Sequence, residues 1–199
     1  MSGRARFTGW AVFSLLLLGS LQACSGLPRL VVLHDPLTPE EHVKLATAYQ
    51  SQGLKELAAK EFQTALRQQR EYPPALVGLG NLSFESGSFQ EAEEYYRRAL
   101  AVAPDDPSAN NNLAMVYLSR GERLDEAERM AQKALEQGGP LRPYVLDTLA
   151  SIDVRQGRYK EAKAALDEAE ALAPLENKTL RERLAEARRE LAARGSQTK

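Results

Sequence analysis

The chain has 199 residues, of which 43% are hydrophobic, 7% aromatic and 27% charged, with a formal net charge of −1. That balance excludes the basic footprint of a nucleic-acid binder. A single cysteine excludes a disulfide framework and a thiolate metal cluster. Length and hydrophobic content suffice for one sizeable domain.

Arg4 and Arg6 form a short positive region, and Trp10 to Leu18 form an apolar run too short to span a bilayer permanently but suited to a secretory signal. Removal of residues 1–23 takes Arg4 and Arg6 and no acid, leaving a net charge of −3. The run ends in Leu21-Gln22-Ala23-Cys24, which resembles the lipobox of bacterial lipoproteins: a branched apolar residue, a tolerant position, a small residue, then cysteine. The resemblance implies diacylglyceryl attachment at Cys24 and a palmitate-bearing anchor. One acyl chain holds a protein only marginally, whereas the several chains of a mature lipoprotein hold it durably. By the enterobacterial sorting rule, Ser25 implies the periplasmic face of the outer membrane. Residues 24–38 then read as a lipidated tether. Its apolar run Leu30-Val31-Val32-Leu33 is expected to pack on the edge of the first hairpin, or alternatively to augment a partner's sheet or mediate self-association.

From Thr38 onward one helical-hairpin pattern recurs four times. The hinge glycines Gly53, Gly87, Gly121 and Gly157 step by 34, 34 and 36 residues. A small residue follows at Ala58, Ala92, Ala127 and Ala162, with steps of 34, 35 and 35, and the row Ala65, Ala99, Ala134 and Ala169 repeats those steps. A period in this range marks a solenoid of helix pairs, in which each repeat buries its apolar face against its neighbours. Thr38-Pro39-Glu40-Glu41 opens the array with an N-cap hydroxyl, a proline at the first helical position and a glutamate placed to close a capping box.

The copies are placed at about 39–72, 73–106, 107–141 and 143–176. The second resembles the tetratricopeptide repeat (TPR) almost throughout. Leu79-Gly80 is its large-small pair, Gly87 ends its first helix, Phe89 and Tyr96 fill the space between hairpins, and Pro104 stops its second helix. The first copy carries Leu45-Ala46, Tyr49 and Phe62. The third carries Leu113-Ala114 and Tyr117, one extra hinge residue in the stretch Gly121 to Ala127, and Gly138-Gly139-Pro140 at its end. The fourth carries Leu149-Ala150, Tyr159, Leu166 and Pro174. After them, Leu180, Leu184, Ala187 and Leu191 draw one apolar stripe on a charged helix over 177–194, which reads as a solvating cap, with 195–199 as a disordered tail. The resemblance implies an all-α fold, a right-handed α-solenoid of four TPR hairpins plus a C-terminal capping helix.

In that family the first helices line a concave groove along which protein partners lie. The first-helix positions that the core rows leave over are Thr47, then Asn81 and Phe84, then Asn111 and Met115, then Tyr144 and Asp147. The carboxamides of Asn81, Asn111 and Asn112 both donate and accept, which suits the backbone of an extended peptide segment. Phe84, Met115 and Tyr144 would take apolar anchors. A chaperone-type carboxylate clamp needs a groove rich in lysine and arginine. This one offers mainly Lys44 and Arg155 at its far ends, so a free C-terminal carboxylate is not the expected ligand.

No catalytic residue, cofactor or metal site is expected. His34 and His42 lack partners at metal-ligand spacing, no serine sits in a nucleophile elbow, and Gly78 and Gly80 lie inside a helix without the strand of a phosphate loop. The resulting expectation is a non-enzymatic, lipid-anchored periplasmic scaffold that binds protein partners in its groove and supports an envelope complex. Lipoproteins of this repeat type include the type IV pilus pilotins and adaptors that dock peptidoglycan hydrolases. Two alternatives stay open. Asp35 to His42 and Asn111 to Ala114 loosely resemble repeat segments behind some papain-like cysteine peptidase domains, which suggests a non-catalytic companion of such a peptidase or of an export system. The other is a self-associating structural lipoprotein whose groove takes another copy's tether.

Overall fold

The computed structural model describes residues 35–196. The chain divides into two units, Met1–Pro36 and Leu37–Lys199, and the second holds all the secondary structure described below. The leader, Cys24 and the Leu30–Leu33 run lie outside the described residues.

Among the described residues the regular structure is nine α-helices and a single 3₁₀ turn. They are α1 (Pro39–Ser51), α2 (Lys55–Gln68), α3 (Pro73–Glu85), α4 (Phe89–Val102), α5 (Pro107–Arg120), α6 (Leu124–Glu136), α7 (Arg142–Arg155), α8 (Tyr159–Leu172) and α9 (Lys178–Ser196), with the turn at Gly139–Leu141. Helices α1/α2, α3/α4, α5/α6 and α7/α8 pair as hairpins, and the second helix of each packs on the first helix of the next. Helix α9 packs on α8 and α7, and so takes the place that the first helix of a further repeat would hold. None of these helices is long and apolar enough to cross a membrane.

The first helix starts as its residues dictate. The Glu41 backbone N–H donates to Thr38 Oγ1 at 3.3 Å, and the Thr38 N–H donates to the Glu41 carboxylate at 2.8 Å. These bonds satisfy donors that a helix start leaves over. At the other end, Asn177 Oδ1 accepts the Leu180 N–H at 3.1 Å and caps α9. The tail expected from residue 195 is instead helical as far as Ser196. Arg194 pairs with Glu190 at 2.8 Å and ties that last turn to the one before it.

The four hinge glycines have φ between +67° and +78°, where a side chain is disfavoured. The longer third hinge puts Arg123 at φ +54°, rare for a residue with a Cβ. Its guanidinium holds it there, 3.0 Å from Glu93 and 2.6 Å from Glu126, and 4.5 Å above the Tyr117 ring. Glu93 also accepts from Arg120 at 2.9 Å. An acid of the second hairpin thus clamps the hinge of the third.

Both alanine rows are at most 1% exposed. Between them runs a row of larger residues, Phe62, Tyr96 and Leu166, broken in the third hairpin by Ala131. Two glycines of α3 make room for the aromatic members. A Cβ at Gly78 would fall 2.3 Å from the Phe62 ring, and one at Gly80 would fall 2.5 Å from the Tyr96 ring. Gly80 therefore serves the ring of its own second helix, and Gly78 receives the ring of the preceding hairpin.

Candidate functional site

Helices α3, α5, α7 and α9 stand side by side as the first-helix row, and a hollow of about 360 Å³ opens along them. Asn81, Phe84 and Glu85 line it from α3, Asn111, Asn112 and Met115 from α5, Leu141 and Tyr144 from the turn and α7, and Arg183 from α9. The Tyr96 side chain reaches its floor from α4.

Five groove positions read from the sequence meet here: Asn81, Phe84, Asn111, Met115 and Tyr144. Two do not line it. Thr47 is exposed on α1 and donates its hydroxyl to the Val43 carbonyl at 2.9 Å within its own helix. Asp147 is buried and accepts from Arg183 at 2.5 Å, so it reaches the hollow only through that arginine.

The asparagines differ from the expectation that they would stand free to donate and accept. Asn81 Oδ1 accepts from the Tyr96 hydroxyl and from the Asn112 amide, both at 2.8 Å. Asn112 Oδ1 in turn accepts from Asn111 Nδ2 at 3.3 Å. The Asn81 oxygen is engaged across helices, by α4 and α5, and the Asn112 oxygen by its neighbour within α5. Asn111 is only 7% exposed, and its Oδ1 finds no hydrogen-bond partner. Asn110, beside it, turns away from the groove and donates to the carbonyls of Pro104 at 3.0 Å and Asp106 at 2.9 Å. Three adjacent asparagines thus have three different tasks. Burial raises the Tyr96 phenol above its usual value, so the hydroxyl stays a donor at neutral pH.

The apolar part of the wall is Phe84, Met115 and Leu141. Phe84 is steadied by Phe89, its ring centroid 5.4 Å away and tilted by 59°. The Tyr144 hydroxyl accepts from Asn177 at 2.6 Å, which fixes its ring at the start of α9. Glu85 is held by Lys55 and Gln50, each at 2.9 Å. Arg183 lies on the helix read as a solvating cap, and the sequence reading missed it. Its signal is spacing: it stands 36 residues after Asp147, one repeat on, at the matching first-helix position. Lys44 and Arg155, read as the groove's cations, lie elsewhere. Lys44 pairs with Glu40 at 2.7 Å, and Arg155 lies near the hinge at Gly121.

No group of three or more metal-ligating side chains occurs among the described residues. The arrangement offers amides, one guanidinium and an apolar wall, which together suit recognition of a chain by its backbone and a few side chains.

The tetratricopeptide repeat profile matches residues 43–107 and again 77–143, together just over half of the chain. The human protein O-mannosyl-transferase TMTC1 is 31% identical over 141 residues, 70% of this chain and 16% of that protein. The photosystem I assembly protein Ycf3 of Prochlorococcus marinus is 33% identical over 86 residues, 42% of this chain and 49% of that one. The chain therefore spans less than half of either relative. A solved structure described as the functional characterization of Pseudomonas aeruginosa pilF superposes with a TM-score of 0.60 at 24% identity, covering 82% of this chain and 76% of the other, a likeness of fold. Profile, repeat geometry and these likenesses agree: the chain belongs to the tetratricopeptide repeat family, whose fold typically mediates contacts between proteins.

Proposed function

We propose that this chain is a lipid-anchored periplasmic scaffold that holds protein partners along its concave face and supports the assembly of an envelope complex. The observation that carries the binding reading is the hollow between α3 and α9, where amides, a guanidinium and an apolar wall converge from four successive first-row helices. Anchoring rests on the lipobox-like Leu21-Gln22-Ala23-Cys24 and on the signal pattern before it. An assembly role is what the name of the Prochlorococcus relative gives for that protein. Carried over, it suits a groove built to hold a chain without chemistry of its own, and the role is accordingly non-enzymatic.

The test is affinity capture from detergent-solubilised membranes, followed by titration of the captured partner against wild type, Asn81→Ala and Met115→Gln, with melting curves as controls. Weaker binding by folded variants supports the reading. Unchanged affinity in both would move the site off the concave face. For the anchor, Cys24→Ala should abolish palmitate labelling and shift the protein to soluble or unprocessed fractions. A fully processed variant that stays on the membrane would refute it.

A further inference from the structure

The hollow between α3 and α9 is one-sided in the hydrogen-bonding groups it leaves unspent. The oxygens of Asn81 and Asn112 are engaged within the wall. Glu85, the acid of the lining, is neutralised by Lys55 at 2.9 Å. What remains toward the hollow is donors: the Asn81 amide N–H groups and the Arg183 guanidinium. Arg183 commits one nitrogen to Asp147 at 2.5 Å, yet its side chain is 45% exposed. A guanidinium carries five N–H donors in a fork that fits a carboxylate, so most of them remain for a ligand. One acceptor breaks the pattern. Asn111 Oδ1 lies on a residue more than nine-tenths buried and has no partner, while Asn111 Nδ2 makes only long contacts, 3.3 Å to Asn112 and 3.6 Å to Met115. A buried acceptor left unpaired is unfavourable, and a side chain held this loosely can turn to meet an incoming N–H.

An extended peptide answers all three conditions. Its backbone N–H suits Asn111, its carbonyl suits the Asn81 amide, and a carboxylate suits Arg183. Phe84, Met115 and Leu141 stand between these groups and would take a neighbouring apolar side chain. We propose that the groove selects an extended segment bearing an aspartate or glutamate side chain beside an apolar residue, and that Arg183 is the residue that sets this preference. This rests on the reading of the concave face as the partner site. The carboxylate is that of a side chain and not of a chain terminus: a terminal clamp gathers several cations, whereas the lining holds one, already shared with Asp147.

The test uses the full chain, immobilised in detergent, and a phage library of random eight-residue peptides. Enriched peptides should carry Asp or Glu next to Leu, Phe or Met. A synthetic peptide from that set should bind roughly tenfold more tightly than its Gln or Asn twin, as expected for a charge-assisted hydrogen bond. Arg183→Gln alone would strand the buried Asp147 charge, so the informative variant is Arg183→Gln with Asp147→Asn, which keeps a neutral hydrogen bond between the two positions. In it the acid-to-amide ratio should fall to about one, and Arg183→Lys should retain part of it. An acidic preference that survives in the double variant overturns the proposal. Enrichment without acidic residues overturns it too, but leaves the groove standing if Met115→Gln weakens those peptides. Binders indifferent to Met115→Gln, or a folded chain that enriches nothing, overturn the groove reading along with it.

Discussion

Phe62 and Tyr96 occupy the same place in successive repeats, 34 residues apart. The junctions they fill differ in the Tyr96 hydroxyl and in the residues around each ring, Thr47 and Gly78 giving way to Asn81 and Asn112. At the first junction the Phe62 ring lies over Gly78 and packs in an apolar cluster with Ala46, Ala58, Ala65, Ala75 and Leu79. At the second, the Tyr96 ring packs on Gly80, while its hydroxyl donates to Asn81, whose oxygen also takes the Asn112 amide of the next hairpin. The second seam therefore ends in the hollow, and the first does not. The residues that all repeats share carry the array. The departures from the shared pattern build the site.

The sharpest way to break this contrast is at its apolar end. Phe62→Ala should cost about 3–5 kcal/mol, because the cavity has alanines around it that cannot collapse into it. Chemical denaturation reads this, and a loss below about 1 kcal/mol would show the first junction to be loosely packed. Next comes Gly80→Ala. Helix propensity alone would make it stabilising by about 1 kcal/mol, whereas a methyl group driven against the Tyr96 ring should cost about 1–3 kcal/mol. Net destabilisation is expected, relieved by Tyr96→Leu in a double-mutant cycle, since the fourth hairpin uses Ala150 with Leu166 at these positions. If Gly80→Ala stabilises the protein, ring and glycine are not in contact. Tyr96→Phe keeps the ring of the second junction and removes only its hydroxyl bond to Asn81. It should lower stability by only about 0.5–1.5 kcal/mol while weakening partner binding through a loosened Asn81. An unaltered affinity would detach the seam from the site.

A control far from both junctions gives the smallest effect. Hydrogen bonds from Lys163 and Arg188 lower the Asp167 carboxyl from its usual value. A lowered folded-state pKa stabilises above the unfolded value near 3.8 and is lost as pH falls through the folded one. Asp167→Asn should therefore lower stability slightly at neutral pH and flatten the acid limb of the stability curve, the difference from wild type closing as pH falls through the folded value. A loss that persists undiminished at low pH would mean that the residue packs rather than pairs.

What was legible in the sequence was what repeats. The start at Thr38, the hinge glycines and both alanine rows follow from local rules applied at a near-constant period, and five of the positions named from the first-helix register line one hollow. What escaped depends on partners far apart in sequence. Arg123 adopts a left-handed backbone because Glu93, 30 residues away, holds it. Asn111 looks like a solvated polar residue until α3, α5 and α7 close around it. Thr47 holds an equivalent register position, but no residue of α1 lines the hollow. Arg183 sits on a helix whose stripe of leucines announces a cap, and only its one-repeat spacing from Asp147 marks it as part of the groove.

The most direct test of the central claim is photo-cross-linking in intact cells. A benzoylphenylalanine placed at Met115, on the wall of the hollow, is compared with one at Val102, an exposed apolar position at the end of α4 that lies outside it. The account predicts a discrete partner adduct from position 115, lost when Asn81→Ala is added, and none from position 102. An adduct from 102 with none from 115 would contradict it and place the partner on another face of the array.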